Sequence, residues 1–197
     1  MDKLGQTLGN GGAVILPTET VYGLFAKALD EAAVDAVYAL KQRPRDKAMN
    51  LNVASIEDIY VYSKEQPLYL GTLVENFLPG PLTIILKAND RVPYWVNSGM
   101  ETVGFRMPAH SETLRYIASY GPLIGPSANI SGQESGQVFK DIVEAFDHQV
   151  FGLADDPALT GLDSTILDLT GPRAKILRQG AITKADLLQA VPQLIFD

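Results

Sequence analysis

Short apolar runs, each closed by Pro, Gly or a capping residue, recur along the chain. The run at residues 13–16 breaks at Pro17, presents Thr18, Glu19 and Thr20 in a row, and turns apolar again around Gly23. A buried strand ending in a polar corner reads this way. Such corners at the end of a sheet are where α/β proteins place ligands. Ahead of it, residues 2–9 read as a short helix stopped by Asn10-Gly11-Gly12.

Asp30 is suited to cap a helix over 31–43, with Val34, Val37, Tyr38 and Lys41 at helical spacing and Pro44 as its stop. Met49, Leu51 and Val53 alternate with Asn50, Asn52 and Ala54, a half-buried strand. Ser55 with Asp58 is a capping pattern for a short helix, residues 67–77 read as another, and Pro79-Gly80-Pro81 ends it. Strands are expected at 82–86, 102–107, 123–125, 150–154, 165–169 and 175–177. Ser111 is expected to cap a helix reaching Tyr120, Val138, Ile142, Val143 and Phe146 mark an amphipathic helix, and Thr183 with Asp186 caps the last. Residues 89–99 read as loop. The irregular alternation predicts an α/β fold with a mixed sheet, as one domain over residues 1–197.

Composition narrows the class. With 46% hydrophobic and 20% charged residues the chain can bury a sizeable core. It has no cysteine, hence no thiolate metal site and no cysteine nucleophile. No secretory signal and no apolar run near the roughly 20 residues of a bilayer span is present, so a cytoplasmic protein without a membrane association is expected. The net charge of −7 argues against a general nucleic-acid binder, yet Lys41, Arg43, Arg45 and Lys47 form a local cationic cluster. That cluster suits a small anionic ligand or a local nucleic-acid contact. Phosphate-binding glycine loops, a G-x-S-x-G elbow and an H-E-x-x-H pair are all missing. The two histidines, His110 and His148, read as surface or loop residues.

Polar groups follow several buried runs: Thr18 to Thr20, Arg106, Ser127 with Asn129, Ser164 with Thr165, and Arg178. At strand ends they can converge on one crevice, where guanidinium groups suit carboxylate or phosphate. The inventory is rich in oxyanion donors and poor in acids and bases, which points to phosphoryl or nucleotidyl transfer. Each motif alone also has a plain structural reading. The 17–20 corner can be a turn and cap, Lys41-x-Arg43 a solvated helix end, and 126–129 a side-chain-stabilised turn.

Together the ordered set is specific. PTETVYGL at 17–24, KQRP at 41–44, PGPLT at 79–83, FRMPAH at 105–110, PSAN at 126–129, ST at 164–165 and LRQG at 177–180 resembles the YrdC-like family of L-threonylcarbamoyladenylate synthases. The match runs over about 12–183, and the chain resembles the short, single-domain form. The resemblance implies a twisted mixed sheet with helices around a positively charged central cavity. It also implies a reaction in which L-threonine, bicarbonate and ATP give threonylcarbamoyl-AMP, pyrophosphate and water. Mg2+ accompanies the ATP, with no metal ligands from protein side chains and no tightly bound organic cofactor. Other proteins then transfer the threonylcarbamoyl group to a tRNA adenosine beside the anticodon.

By the same resemblance, Lys41 and Arg43 are the catalytic cations, and Lys41, Arg43, Lys47, Thr102, Ser127, Asn129, Ser135 and Arg178 contact ATP. Thr20, Asn52, Arg106 and Ser164 contact L-threonine, with Arg106 the partner of its carboxylate. Asn52 stands where many members carry a histidine, and Asp46-Lys47-Ala48-Met49 replaces their Asn-Pro-Leu segment. Residues 131–136 are the candidate lid from their Gly and Ser content. The role of Glu19 stays open between ordering the site and facing water. The rival reading is a non-catalytic module of the same fold that holds double-stranded RNA or tRNA. A carbamoyl-transfer role, as in hydrogenase-maturation carbamoyltransferases, ranks last because those chains carry zinc-binding cysteines.

Overall fold

Residues 2–197 are described by a computed structural model of the chain. Helix α1, Lys3–Gly9, starts where the Asp2 carboxylate accepts from the Gly5 amide. Strand β1, Val14–Leu16, pairs antiparallel with β2, Gly23–Lys27, with Leu16 opposite Gly23. The opening stretch is therefore a hairpin whose two apolar runs are separate strands, joined through the corner at residues 17–22. Helix α2, Glu31–Lys41, is capped by Asp30 and ends at Gln42 in the left-handed conformation (φ 49°). It stops short of the expected end, so Arg43 lies beyond the helix. Its buried face holds Val34, Val37, Tyr38 and also Lys41.

Strand β3, Leu51–Asn52, is shorter than the alternation at 49–54 suggests. Helix α3, Ile56–Tyr62, is capped by Ser55, and β4, Ser63–Lys64, follows it directly. Helix α4, Leu70–Phe77, leads to β5, Leu82–Ala88. The expected loop at 89–99 contains a single helical turn, α5, Tyr94–Asn97. Strand β6, Thr102–Arg106, precedes α6, Ser111–Tyr120. The cap of α6 is His110, whose ring nitrogen accepts from the Thr113 amide, so Ser111 is already helical. Strand β7, Leu123–Ile124, and helix α7, Phe139–Ala145, follow. Residues 150–154 form no strand, because only Gly152 bridges to Ile15. A 3₁₀ turn at Asp156–Ala158 leads to β8, Thr165–Asp168, and β9, Lys175–Arg178. Helix α8, Lys184–Ala190, opens with the full Thr183/Asp186 capping box.

Among the described residues the strands form one mixed sheet in the order β1-β2-β7-β3-β6-β5-β8-β9, with β4 on β5. The pairs β3–β6 and β5–β8 are parallel and the others antiparallel. Side chains alternate between faces along each strand. Ile15 joins the large core under α2, whereas Val14 and Leu16 pack with Leu8, Phe25, Tyr116 and Ile117 under α1 and α6. No helix among the described residues is long and apolar enough to cross a membrane.

This order brings functional ends to one edge. Parallel β3 and β6 deliver their C-terminal residues, Asn52 and Arg106. Strand β5, antiparallel to β6, and β8, parallel to β5, deliver Thr83 and the residues just before Thr165. Strand β9 returns to the same edge with Arg178. Gly180 makes that return possible: a Cβ there would lie 2.2 Å from the Asp163 carbonyl and 2.4 Å from the Ser164 carbonyl carbon. Backbone atoms cannot rotate away, so Gly180→Ala is expected to cost about 1–3 kcal/mol by overpacking. Urea unfolding of the variant against the parent checks this, and an unchanged midpoint would contradict the close approach.

Candidate active site

The edge opens into a cavity of about 320 Å³. Arg43, Arg106 and Arg178 line it with Ser127, Ser135, Ser164, Thr83 and Asn52, and Asp163 supplies the one lining carboxylate.

The corner at 17–22 is built around one hydroxyl. Thr18 Oγ1 donates to the Val21 carbonyl at 2.6 Å and accepts from the amides of Thr20 and Val21. The Thr20 hydroxyl lies 2.9 Å from it and accepts from Arg106 Nη2 at 2.7 Å. The same Nη2 donates to Glu19 Oε1 at 2.8 Å, while Glu19 Oε2 accepts from the Ala109 amide. Thr113 Oγ1 donates to the Pro17 carbonyl and ties the corner to α6. Glu19 therefore orders the site rather than facing water. Thr20 is 1% exposed and stands behind Arg106, not in the cavity lining.

The opposite wall is the loop after β7. It continues alongside the hairpin: the Pro126 carbonyl accepts from the Leu24 amide, and the Ala128 amide donates to the Tyr22 carbonyl. Gly125 has to lack a side chain here, because a Cβ would lie 2.5 Å from the Phe25 ring and 2.8 Å from Asn52 Nδ2. Asn52 itself is buried and donates to the Leu123 carbonyl. Lys41, expected at the ligand, is instead 1% exposed and absent from the lining. Its ammonium donates to the carbonyls of Ser127 and Asn129, both at 2.5 Å. The side chain continues the apolar face of α2, so it can only point inward.

Arg43, past the end of the helix, does reach the cavity. It is fixed by Nε to the Lys47 carbonyl at 3.0 Å and by Nη2 to the Ala48 carbonyl at 2.8 Å. Asn129 donates to the carbonyls of Ile130 and Gln133, which leaves its Oδ1 buried and without a partner. The residues that follow form no helix or strand and bring Ser135 to the cavity. Ser164 accepts from Arg178 Nη2 at 3.0 Å and lies 3.1 Å from the Thr83 hydroxyl. Arg178 Nε also holds the Ser164 carbonyl, and its Nη1 lies 3.4 Å from Asp163.

Besides Thr20, Lys41 and Asn129, two further expected contacts stay outside the cavity lining. Lys47 has an exposed side chain and engages Tyr38 and Arg43 only through its carbonyl. Thr102 opens β6, opposite Lys87, and four residues of strand at about 3.4 Å each separate it from Arg106. Tyr22, Asn50, Thr83 and Asp163 line the cavity without having been singled out. Thr83 closes the PGPLT motif and Tyr22 lies within PTETVYGL, so both carried a signal in the sequence. Tyr22 is buried, which pushes its hydroxyl pKa up, and that hydroxyl donates to Asp156 at 2.6 Å. His110, beyond β6, is largely buried, with Nε2 3.1 Å from Asp155. It holds the 155–156 segment rather than facing the cavity.

Burial first, and the charge of Arg43 second, together lower the Lys41 pKa to about 8. The two carbonyl acceptors act in the opposite sense, favouring the ammonium. With a folded pKa below the unfolded one, the unfolded chain binds more protons between about 8 and 10.5, so stability rises with pH across that window. Lys41→Met should lose that rise, which urea midpoints from pH 7.5 to 10.5 would reveal. Parallel profiles for parent and variant would contradict it.

A family model described as "Telomere recombination", for the Sua5, YciO and YrdC proteins, matches residues 6–180. The chain is 38% identical over 186 residues to the threonylcarbamoyl-AMP synthase of Pyrococcus abyssi, covering 93% of this chain and 55% of that protein. It is 37% identical over 177 residues to the Bacillus subtilis enzyme of the same name, covering 88% of this chain and 51% of that protein. The chain spans about half the length of these curated relatives. Among solved structures, P. abyssi Sua5 complexed with L-threonine superposes with a TM-score of 0.91 at 34% identity, covering 98% of this chain and 57% of that one. Escherichia coli YciO shares the fold with a TM-score of 0.80 at 23% identity, covering 91% and 88%. With the family model spanning most of the chain and relatives 38% and 37% identical over nearly all of it, this protein belongs to the Sua5/YciO/YrdC family.

Proposed function

We propose that the chain is an L-threonylcarbamoyladenylate synthase, a nucleotidyltransferase. The observation that carries this reading is the convergence of three guanidinium groups, Arg43, Arg106 and Arg178, with the hydroxyls of Ser127, Ser135 and Ser164 on one cavity. Arg106 is oriented by Thr20 and Glu19, whereas Arg43 is held only by backbone carbonyls. Similarity to enzymes named threonylcarbamoyl-AMP synthase over 93% of the chain supports it.

In this reading the carboxylate of L-threonine pairs with Arg106, with Asn52 and Ser164 beside it. The amine attacks the carbon of bicarbonate, water leaves, and an N-carboxy carboxylate forms. That carboxylate attacks the α-phosphorus of ATP, and pyrophosphate departs as the new C–O–P linkage forms. The attacking group is already deprotonated, so the phosphorus step needs no protein base. Arg43 and Arg178 offset the charge that develops on the phosphates. Lys41 acts from behind, since two of its three N–H donors hold the loop that carries Ser127 and Asn129.

The donor set suits phosphate oxygens better than a resident metal ion. No group of three or more His, Asp or Glu converges anywhere among the described residues. Magnesium would arrive on the triphosphate, where it supplies charge neutralisation. The product would pass to partner proteins that modify tRNA.

Incubation with L-threonine, bicarbonate and Mg-ATP should yield threonylcarbamoyl-AMP by mass spectrometry, with pyrophosphate released in the absence of RNA. A module that only binds RNA would release none. Arg43→Ala should raise the barrier by roughly 2–4 kcal/mol, as loss of an oxyanion donor does. Thr20→Ala should raise the KM for L-threonine more than that for ATP, because it frees Arg106. Equal effects on both substrates would place the amino acid elsewhere.

A further inference from the structure

The three lining arginines differ in what neutralises them. Arg43 is held only by the uncharged carbonyls of Lys47 and Ala48 and keeps its full charge for a ligand. Arg178 lies 3.4 Å from Asp163, but the two side chains are 44% and 48% exposed, so water screens the pair and a ligand can replace it. Arg106 and Glu19 are only 14% and 16% exposed and meet at 2.8 Å. Glu19 is further tethered through its second oxygen to the Ala109 amide at 2.9 Å, and it does not line the cavity. Both donors of Arg106 Nη2 are consumed, by Glu19 and Thr20, and Nε is buried without a partner. A ligand is therefore left the donors on Nη1, on a guanidinium whose charge is already balanced.

We propose that Glu19 is a specificity-determining residue: a fixed counter-charge behind Arg106 that makes this end of the cavity accept a monocarboxylate and reject a polyphosphate. The inference rests on the reading above, in which Arg106 takes the amino-acid carboxylate and the triphosphate lies toward Arg43 and Arg178. Without such a device, three guanidinium groups in one small cavity would compete for the more highly charged substrate. ATP would then block the amino-acid end. A fixed negative charge repels a ligand in proportion to the ligand's own charge. In a partly desolvated site, one such charge nearby changes affinity by roughly tenfold per unit of ligand charge. A carboxylate with one charge tolerates this, and a polyphosphate with several does not. Glu19 exerts its selection through the field and through its hold on Nη2, without touching substrate.

The test uses L-threonine and inorganic tripolyphosphate with the full chain. Binding of L-threonine is measured by calorimetry with and without saturating tripolyphosphate, for the parent, Glu19→Gln and Glu19→Asp. The parent should bind L-threonine with a Kd that tripolyphosphate changes by no more than about twofold, because the polyanion is kept to Arg43 and Arg178. In Glu19→Gln, tripolyphosphate should compete directly and raise the L-threonine Kd by about tenfold or more. Glu19→Asp keeps the charge and should behave as the parent does, even if both variants lose some thermal stability. If Glu19→Gln shows no competition, or if Asp and Gln change together, the charge-selection role is wrong. A parent that does not bind L-threonine at all would overturn the reading of the cavity itself. Should Glu19→Gln fail to fold, Glu19→Ala carries the same comparison.

Discussion

An ammonium sealed from water must find oxygen acceptors, and the ones Lys41 finds decide where one wall of the cavity stands. Helix α2 buries its apolar face in the core, and Lys41 is the last member of that face. Its charge would be costly to bury alone, so it draws in the carbonyls of Ser127 and Asn129. Those carbonyls belong to the loop that also pairs with the hairpin through Pro126 and Ala128. Asn129 then spends its amide on Ile130 and Gln133, which sets the course of the chain toward Ser135. One buried cation thus links a helix end, a hairpin and the loop that faces the ligand. Truncating it would leave the Asn129 carbonyl without a donor and the Ser127 carbonyl with only the Asn129 amide, the expensive way to break a buried polar contact.

Elements with local signals were legible in the sequence. Asp30 and the Thr183/Asp186 box mark helix starts because the side chains satisfy amides that no other group can reach. Strands β5 and β6 stand out as apolar runs because consecutive residues on both of their faces are buried. What failed depends on pairing. Residues 150–154 are apolar enough for a strand, but the neighbouring chain offers only one bridge at Gly152. Strand β4 exists because β5 is long enough to receive Ser63 and Lys64 on its flank. No local pattern announces either outcome.

The candidate site divides in the same way. Arg106, Ser127, Ser164 and Arg178 meet at the cavity as their places after buried runs implied, and Arg43, Asn52 and Ser135, expected from the resemblance, join them there. Lys41 carried a signal that pointed the other way: its spacing from Val34, Val37 and Tyr38 places it on the buried face, and that periodicity outweighs its charge. Thr102 and Arg106 share a face of one strand, but sharing a face says nothing of distance along it. Asp163 and Asn50 were missed because their places are set by contacts distant in sequence. Gly180 lets β9 close on Asp163, and Gly104 gives Asn50 room to lie over the sheet, since a Cβ there would fall 2.2 Å from Asn50 Oδ1.

The corner at Pro17 gains a direction that its residues alone could not give. A guanidinium only donates, so Arg106 fixes the sense of the whole chain of bonds. Thr20 accepts from Arg106, and the single proton of Thr18 is spent on the Val21 carbonyl. The bond between the two threonines must then run from the Thr20 hydroxyl to Thr18. Thr20 consequently has no proton to offer a ligand, and its burial keeps it out of the cavity. Its contribution is orientation: with Glu19 it holds Nη2 and so aims the rest of the guanidinium. The three polar residues after Pro17 thus work as one unit behind a single cation, each hydroxyl proton and each carboxylate oxygen committed before any substrate arrives.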